Sequence, residues 1–132
     1  MIVVDSSCVL AILQNEPEKD AFRAVLAGGD RCLMSAVNVH EALCVMRGRY
    51  GVAGAARLWD LIGDTEIEIV PFDELQVRAA AAAFDRYGKG INPKSALNLA
   101  DCAAYALAKT MSAPVLFKGN DSKATDVIAA TA

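Results

Sequence analysis

The chain begins Met1-Ile2-Val3-Val4-Asp5-Ser6-Ser7, three β-favouring apolar residues that run directly into a carboxylate and two hydroxyls. A short, unbroken apolar run suits a strand covered on both faces, as in a parallel sheet. Asp5 then falls at the strand's carboxyl end, where open α/β sheets bind ligands. Asp and Ser are also preferred N-cap residues, so the same residues can simply open the helix suggested by Val9-Leu10-Ala11-Ile12-Leu13. The choice between a cap and a site turns on whether other carboxylates reach the same sheet edge.

The rest of the chain alternates strand and helix. Residues 8–14 read as a short helix broken at Asn15-Glu16-Pro17, with Pro17 suited to the first turn of the next helix, Glu18–Ala27. Gly28-Gly29-Asp30 ends that helix, and Arg31–Ser35 is a short strand. Ala36–Tyr50 carries a helical stripe of Val39, Leu43, Met46 and Tyr50, while Glu41 lies on another face between Val37 and Val45. Gly51 breaks the pattern, and Val52–Ile62 forms another helix, with Trp59, Leu58, Leu61 and Ile62 expected in the core. Glu66–Val70 alternates like a strand with one wet face, closed by Pro71. Glu74–Tyr87 is an Ala-rich helix with Leu75, Val77 and Phe84 as its larger contacts. A loop, Gly88–Lys94, separates it from Leu99–Met111, which is apolar nearly all round and therefore a buried helix. Pro114–Phe117 is the last clear strand; Thr125–Ile128 can add a short edge strand before a frayed tail, Ala129–Ala132.

At 132 residues, 55% hydrophobic and 22% charged, the chain is long and apolar enough for one domain with a real core. No apolar run is long enough to span a bilayer, and no basic segment precedes the first strand as in a signal peptide, so a cytoplasmic location is expected. Cys8, Cys32, Cys44 and Cys102 form no CxxC pair and read as small buried hydrophobes in a reducing compartment. With His40 the single histidine, any metal must be held by oxygen, which points to Mg²⁺ or Mn²⁺. A net charge of −3 argues against a protein that coats nucleic acid by bulk charge, but not against a nuclease that recruits phosphate through a metal.

Alternating strands and helices predict a three-layer α/β/α sandwich with a parallel central sheet, its strand ends aligned on one edge. Asp5 follows the first strand and Asp121 follows the last; Glu41 and Asp101 sit near the starts of helices at that edge. Asp101 can also be the third residue of a helix capped by Asn98, which is compatible with a site. Four carboxylates from four elements repel one another unless a cation joins them. Mg²⁺ takes one or two carboxylates directly and keeps several waters, and it activates water against a phosphodiester.

Met1–Ser7, Ser35–Glu41, Leu97–Cys102 and Phe117–Asp121 together resemble the PIN-domain ribonucleases, over essentially residues 1–132 as a single PIN domain. The likeness is to the VapC-type toxins of bacterial type II toxin–antitoxin pairs. The resemblance implies a Mg²⁺-dependent endoribonuclease, a homodimer neutralised by a small VapB-type antitoxin, with RNA as substrate. It makes Asp5 and Asp101 the principal metal ligands, Glu41 and Asp121 supporting acids that can act through water, and Ser7 the hydroxyl that steadies Asp5. Asp126 matches a recurrent Thr-Asp pair. The chain departs from the family pattern at Ser122, where an aromatic is usual, at Ser6, where Thr is common, and at His40, which consecutive helix geometry turns away from Glu41.

Lys89 and Lys94, with Arg86, flank the Gly-rich loop, and Lys118 and Lys123 flank Asp121. If the acids converge, these cations rim the site and can hold RNA phosphates. The exposed ends of the Ala-rich helix and of Glu18–Ala27 are candidate protein contacts, because so apolar a small domain favours a covered surface. A receiver domain would need an acidic pair near the first strand's end, and a small-molecule phosphatase usually has Asp-x-Asp there; this chain offers one acid. The remaining alternative is a non-catalytic binding module whose acids only cap helices and turns.

Overall fold

A computed structural model describes residues 1–91, 96–119, 126 and 129–130. In order the elements are β1 (Ile2–Val4), α1 (Ser6–Leu13), α2 (Lys19–Leu26), β2 (Cys32–Ser35), α3 (Ala36–Asp64), β3 (Glu68–Val70), α4 (Glu74–Tyr87), α5 (Leu99–Met111) and β4 (Val115–Leu116). The four strands form one sheet in the order β3-β2-β1-β4, and every pairing is parallel. β1 is therefore central and apolar on both sides, as its composition requires.

The two-residue period of the strands divides the core between the two faces. Ile2, Val4, Cys32, Met34 and Leu116 pack with α1, α2 and the inner residues of α3, including Val39, Met46, Leu58 and Leu61. Val3, Leu33 and Val115 turn the other way and meet Leu107 and Ala108 of α5. Helix α4 packs outside α5, through Ala80, Ala83 and Tyr87 against Cys102, Tyr105 and Ala106. The result is the expected three-layer α/β/α sandwich.

Long apolar side chains do not all go where their type suggests. Trp59 is 48% exposed, and Leu75, Val77 and Phe84 of α4 and Leu99 of α5 are also exposed. The inward stripe of α4 is instead Gln76, Ala80, Ala83 and Tyr87, spaced for one helix face. Small residues let α4 lie close to α5, and the larger ones then fall outside the contact. Leu99 is in the first turn, beyond the covered part of α5. Cys44 is exposed as well, whereas Cys8, Cys32 and Cys102 are buried. The expected edge strand at 125–128 lies outside the described residues except Asp126; next to it, Ala129 forms a single parallel bridge to Val115.

The break at Gly51 is real but does not separate two distant helices. Its φ of 72° and ψ of −158° turn α3 sharply, in a region of backbone space that is essentially glycine's own. Just beyond the turn, a Cβ on Gly54 would lie 2.5 Å from the Met46 carbonyl oxygen, so the two arms of α3 touch through backbone. Gly48, by contrast, has regular helical surroundings and open space at its Cβ position. The same substitution should therefore have opposite signs three residues apart. Gly51→Ala is expected to cost about 1–3 kcal/mol, and Gly48→Ala to gain about 0.5–1 kcal/mol. Urea unfolding midpoints of the two variants check both.

Candidate active site

β1, β2 and β4 end on one edge of the sheet, and the chain places polar groups at or just past the end of each. Asp5 follows β1 and caps α1: its Oδ2 accepts from the Ser7 backbone N–H at 3.0 Å and from Ser7 Oγ at 2.5 Å. Ser7 Oγ in turn accepts from the backbone N–H of Lys118, two residues past β4, at 2.9 Å. One hydroxyl thus joins the end of β4 to the carboxylate at the end of β1. Ser35 ends β2 and caps α3, its Oγ accepting from the Val37 N–H at 3.3 Å.

Glu41, in the second turn of α3, is half-buried and reaches back across the edge to accept a hydrogen bond from Ser6 Oγ. Asn38, one turn earlier on α3, has no exposed surface. Its Nδ2 donates to Ser6 Oγ at 3.1 Å and to the Ala100 carbonyl at 3.0 Å. Asp101 follows Ala100 and closes a capping box: Asn98 Oδ1 accepts from the Asp101 N–H at 2.9 Å, and Asp101 Oδ2 accepts from the Asn98 N–H at 3.0 Å. Asp5, Glu41 and Asp101 therefore lie at the starts of three elements tied to one another by Ser6 and Asn38. Asp121 lies outside the described residues. Among the described residues, no three acidic, histidine or cysteine side chains are close enough to form a ready-made cation cage.

Asp5 is only 7% exposed. Burial raises its pKa above the ordinary aspartate value, the bonds from Ser7 oppose the rise, and the charge of Glu41 adds to it. Two carboxylates within electrostatic reach, one of them desolvated, form a site that a cation would relieve. The donor set is all oxygen, as a hard divalent ion requires. The nearby Cys102 thiol is not a competing nucleophile, since burial, and then Asp101, push its pKa up to about 11.

The other residues singled out by sequence fall around this edge in different ways. Lys118 is ion-paired with Glu16 at 2.5 Å and with Glu18 at 3.4 Å. Lys89 is exposed at the mouth of a loop closed by hydrogen bonds between Lys89 N–H and the Leu97 carbonyl and between Leu97 N–H and the Tyr87 carbonyl, both 2.8 Å. Lys94 and Lys123 lie outside the described residues. Asp126 accepts from Tyr105 Oη and from Lys109 Nζ, the latter at 2.9 Å, with Arg86 at 4.0 Å. The tyrosine hydroxyl first, then the lysine, hold its pKa down to about 2. His40 is exposed, its Nε2 3.7 Å from Cys44 Sγ. Sequence reading passed over Asn38. The available signal was a weak helix former between two valines, one turn before Glu41.

The model of the PIN domain family matches residues 2–128. A ribonuclease VapC of Mycolicibacterium smegmatis is 36% identical over 128 residues, covering 97% of this chain and 98% of that protein. Ribonuclease VapC30 of Mycobacterium tuberculosis is 35% identical over 126 residues, covering 96% and 95%. Among solved structures, VapC20 of Mycobacterium tuberculosis, a sarcin–ricin-loop-cleaving toxin, superposes with a TM-score of 0.81 at 14% identity, with both chains covered completely. A toxin–antitoxin complex from Klebsiella pneumoniae gives 0.72 at 13% identity, covering 98% and 97%. The chain belongs to the PIN-domain family, within its VapC ribonucleases.

The raised pKa of Asp5 has a consequence for stability. The native state holds that proton more tightly than the unfolded chain, so ionisation costs native stability as pH rises above the unfolded carboxylate value. Asn at this position keeps a capping oxygen and removes the charge. In chelator at about pH 7, Asp5→Asn is expected to raise Tm. The gain should shrink as pH falls towards about 4. Thermal unfolding of both proteins across that range is the check, and a lower Tm for Asp5→Asn at neutral pH would refute it.

Proposed function

We propose that this chain is the toxin of a VapBC-type pair, a Mg²⁺-dependent endoribonuclease built from residues 1–132 as one PIN domain. The observation that carries the reading is the buried Asp5 carboxylate, within electrostatic reach of Glu41 at the sheet edge where α5 presents Asp101, in a chain of the VapC family. Asp5 and Asp101 hold the ion directly, and Glu41 and Asp121 support it, partly through water. Such an ion, when bound, polarises a phosphoryl oxygen and lowers the pKa of a water at the scissile phosphate; Mn²⁺ has the same ligand chemistry.

The chain's own groups prepare that chemistry. Ser7 keeps Asp5 turned to the edge, and Asn98 holds Asp101 in the first turn of α5. Asp126 fastens the chain beyond Asp121 to α5, as Lys118 N–H fastens it before. Lys89 and Lys94 offer charge to phosphates flanking the cut; Lys118 does so only by exchanging Glu16 and Glu18 for RNA. A VapB-type antitoxin and a second copy of the chain are the protein partners, and a cytoplasmic location follows from that role. Among the described residues, no helix is long and apolar enough to cross a membrane.

The test is cleavage of total cellular RNA, with the new ends sequenced to identify the substrate. Wild type should cut in Mg²⁺ and stop in chelator, and Asp101→Asn should lose at least about 100-fold in rate. Equal cutting by Asp101→Asn, or cutting in chelator, would favour acids that serve only as caps. A second measurement addresses the loop. Lys89→Ala with Lys94→Ala should weaken RNA binding several-fold and flatten its dependence on salt, because fewer counterions are released. Unchanged affinity and salt slope would remove the loop from the RNA path.

A further inference from the structure

Asn38 is wholly buried, and its carbonyl oxygen Oδ1 has no hydrogen-bond partner among the described residues. Buried polar atoms are nearly always paired, because an unpaired one costs stability, so an unpaired one asks for an explanation. The amide cannot be turned over to repair it. Nδ2 lies against the Ala100 carbonyl, and a flipped amide would set oxygen against oxygen there. Both N–H groups are therefore committed, one to Ala100 O and one to Ser6 Oγ. A serine hydroxyl that accepts from Asn38 still has its own proton to give, and Ser6 gives it to Glu41.

These bonds form a single chain with one direction: Asn38 to Ser6 to Glu41 on one side, and Asn38 to the residue before Asp101 on the other. Ser6 is also the residue after Asp5. One side chain thus links the starts of α1, α3 and α5, where Asp5, Glu41 and Asp101 lie. We propose that Asn38 is a positioning residue that sets the relative placement of Asp5, Glu41 and Asp101, and so the affinity of the edge for a divalent cation. This rests on the metal-dependent reading above. Asn38 itself contacts neither ion nor RNA; it acts through Ser6 and Ala100. Groups that orient the ligands of a metal commonly change affinity or activity by about 10–100-fold when removed.

Leu matches the branched shape of Asn without its donors, so Asn38→Leu removes the bonds while keeping the space filled. Ser6→Ala cuts the same relay at its next member and leaves Asn38 in place. The measurement is Mn²⁺ binding to each folded protein by titration calorimetry, alongside cleavage of total RNA and thermal unfolding in chelator. Both variants should bind Mn²⁺ about 10-fold more weakly than the parent. The double variant should bind no worse than the poorer single one, because the two residues act in one chain. A side chain that only stabilised the core would lower Tm and leave Mn²⁺ affinity alone. Folded Asn38→Leu that binds Mn²⁺ within about twofold of the parent overturns the proposal. If Asn38→Leu does not fold, Ser6→Ala decides in the same way. Asp101→Asn is measured in parallel: if it binds Mn²⁺ as the parent does, the metal-dependent reading itself fails, whereas its loss with Asn38→Leu unchanged sinks only the role given to Asn38.

Discussion

Everything at this edge of the sheet depends on keeping one carboxylate, Asp5, out of water. Its position is unavoidable once β1 is the central strand: the strand ends at Val4, and the next residue emerges where α1, α3 and α5 all begin. Desolvation disfavours the charged form, and Glu41 disfavours it further. Two polar neighbours make the arrangement tolerable. Ser7 donates to Asp5 twice, by hydroxyl and by backbone, and Ser6 donates to Glu41. These serines are consecutive, yet they serve different acids, because successive residues at the start of a helix point in different directions. Every proton they give stabilises negative charge without neutralising it. The edge is therefore assembled in a state that a cation improves, and the fold bears a cost in stability for holding it ready.

The strands and helices were legible because their signals are local. Apolar runs of three or four residues bounded by polar or Gly-containing turns marked β1, β2 and β4; helical periodicity marked α4 to the residue, and α3 as two separate helices either side of Gly51 that the structure joins into one kinked element. The acids were legible as positions relative to those elements. Side-chain destinations were less so. In α4, periodicity defines several possible stripes, and residue size points to Leu75, Val77 and Phe84. The helix that α4 must approach decides otherwise, and selects Ala80 and Ala83. Trp59 and Leu99 were misplaced for a related reason: an apolar type says what burial would gain, not whether a neighbour is there to supply it.

Asn38 shows a different limit. Its own helix shows only a weak helix former between two valines; the partners that explain it lie far off, Ser6 32 residues away and Ala100 62 away. A buried asparagine is read correctly only when its partners are known. Asp126 is similar. The sequence pattern could place it near a threonine, but its work is done with Tyr105 and Lys109 on the flank of α5. Together with the Lys118 N–H bond to Ser7, that contact ties down the chain on both sides of the segment containing Asp121.

The precision of the edge also draws on packing some distance from it. From Ala100 to Ala108, α5 is buried at every position except Asp101, which is only half-covered. Sheet residues press on one side of this helix and the α4 alanines on the other. A helix confined from both sides cannot rotate or slide without breaking many contacts at once. Its first turn, where Leu99 is 76% exposed, is the part that leaves the core. Asp101 stands where the buried and open parts meet, held by the capping box and by the grip of Asn38 on Ala100. The apolar body of α5 thus gives a solvent-reaching carboxylate the rigidity of the core, which a loop-borne acid at the same edge would lack.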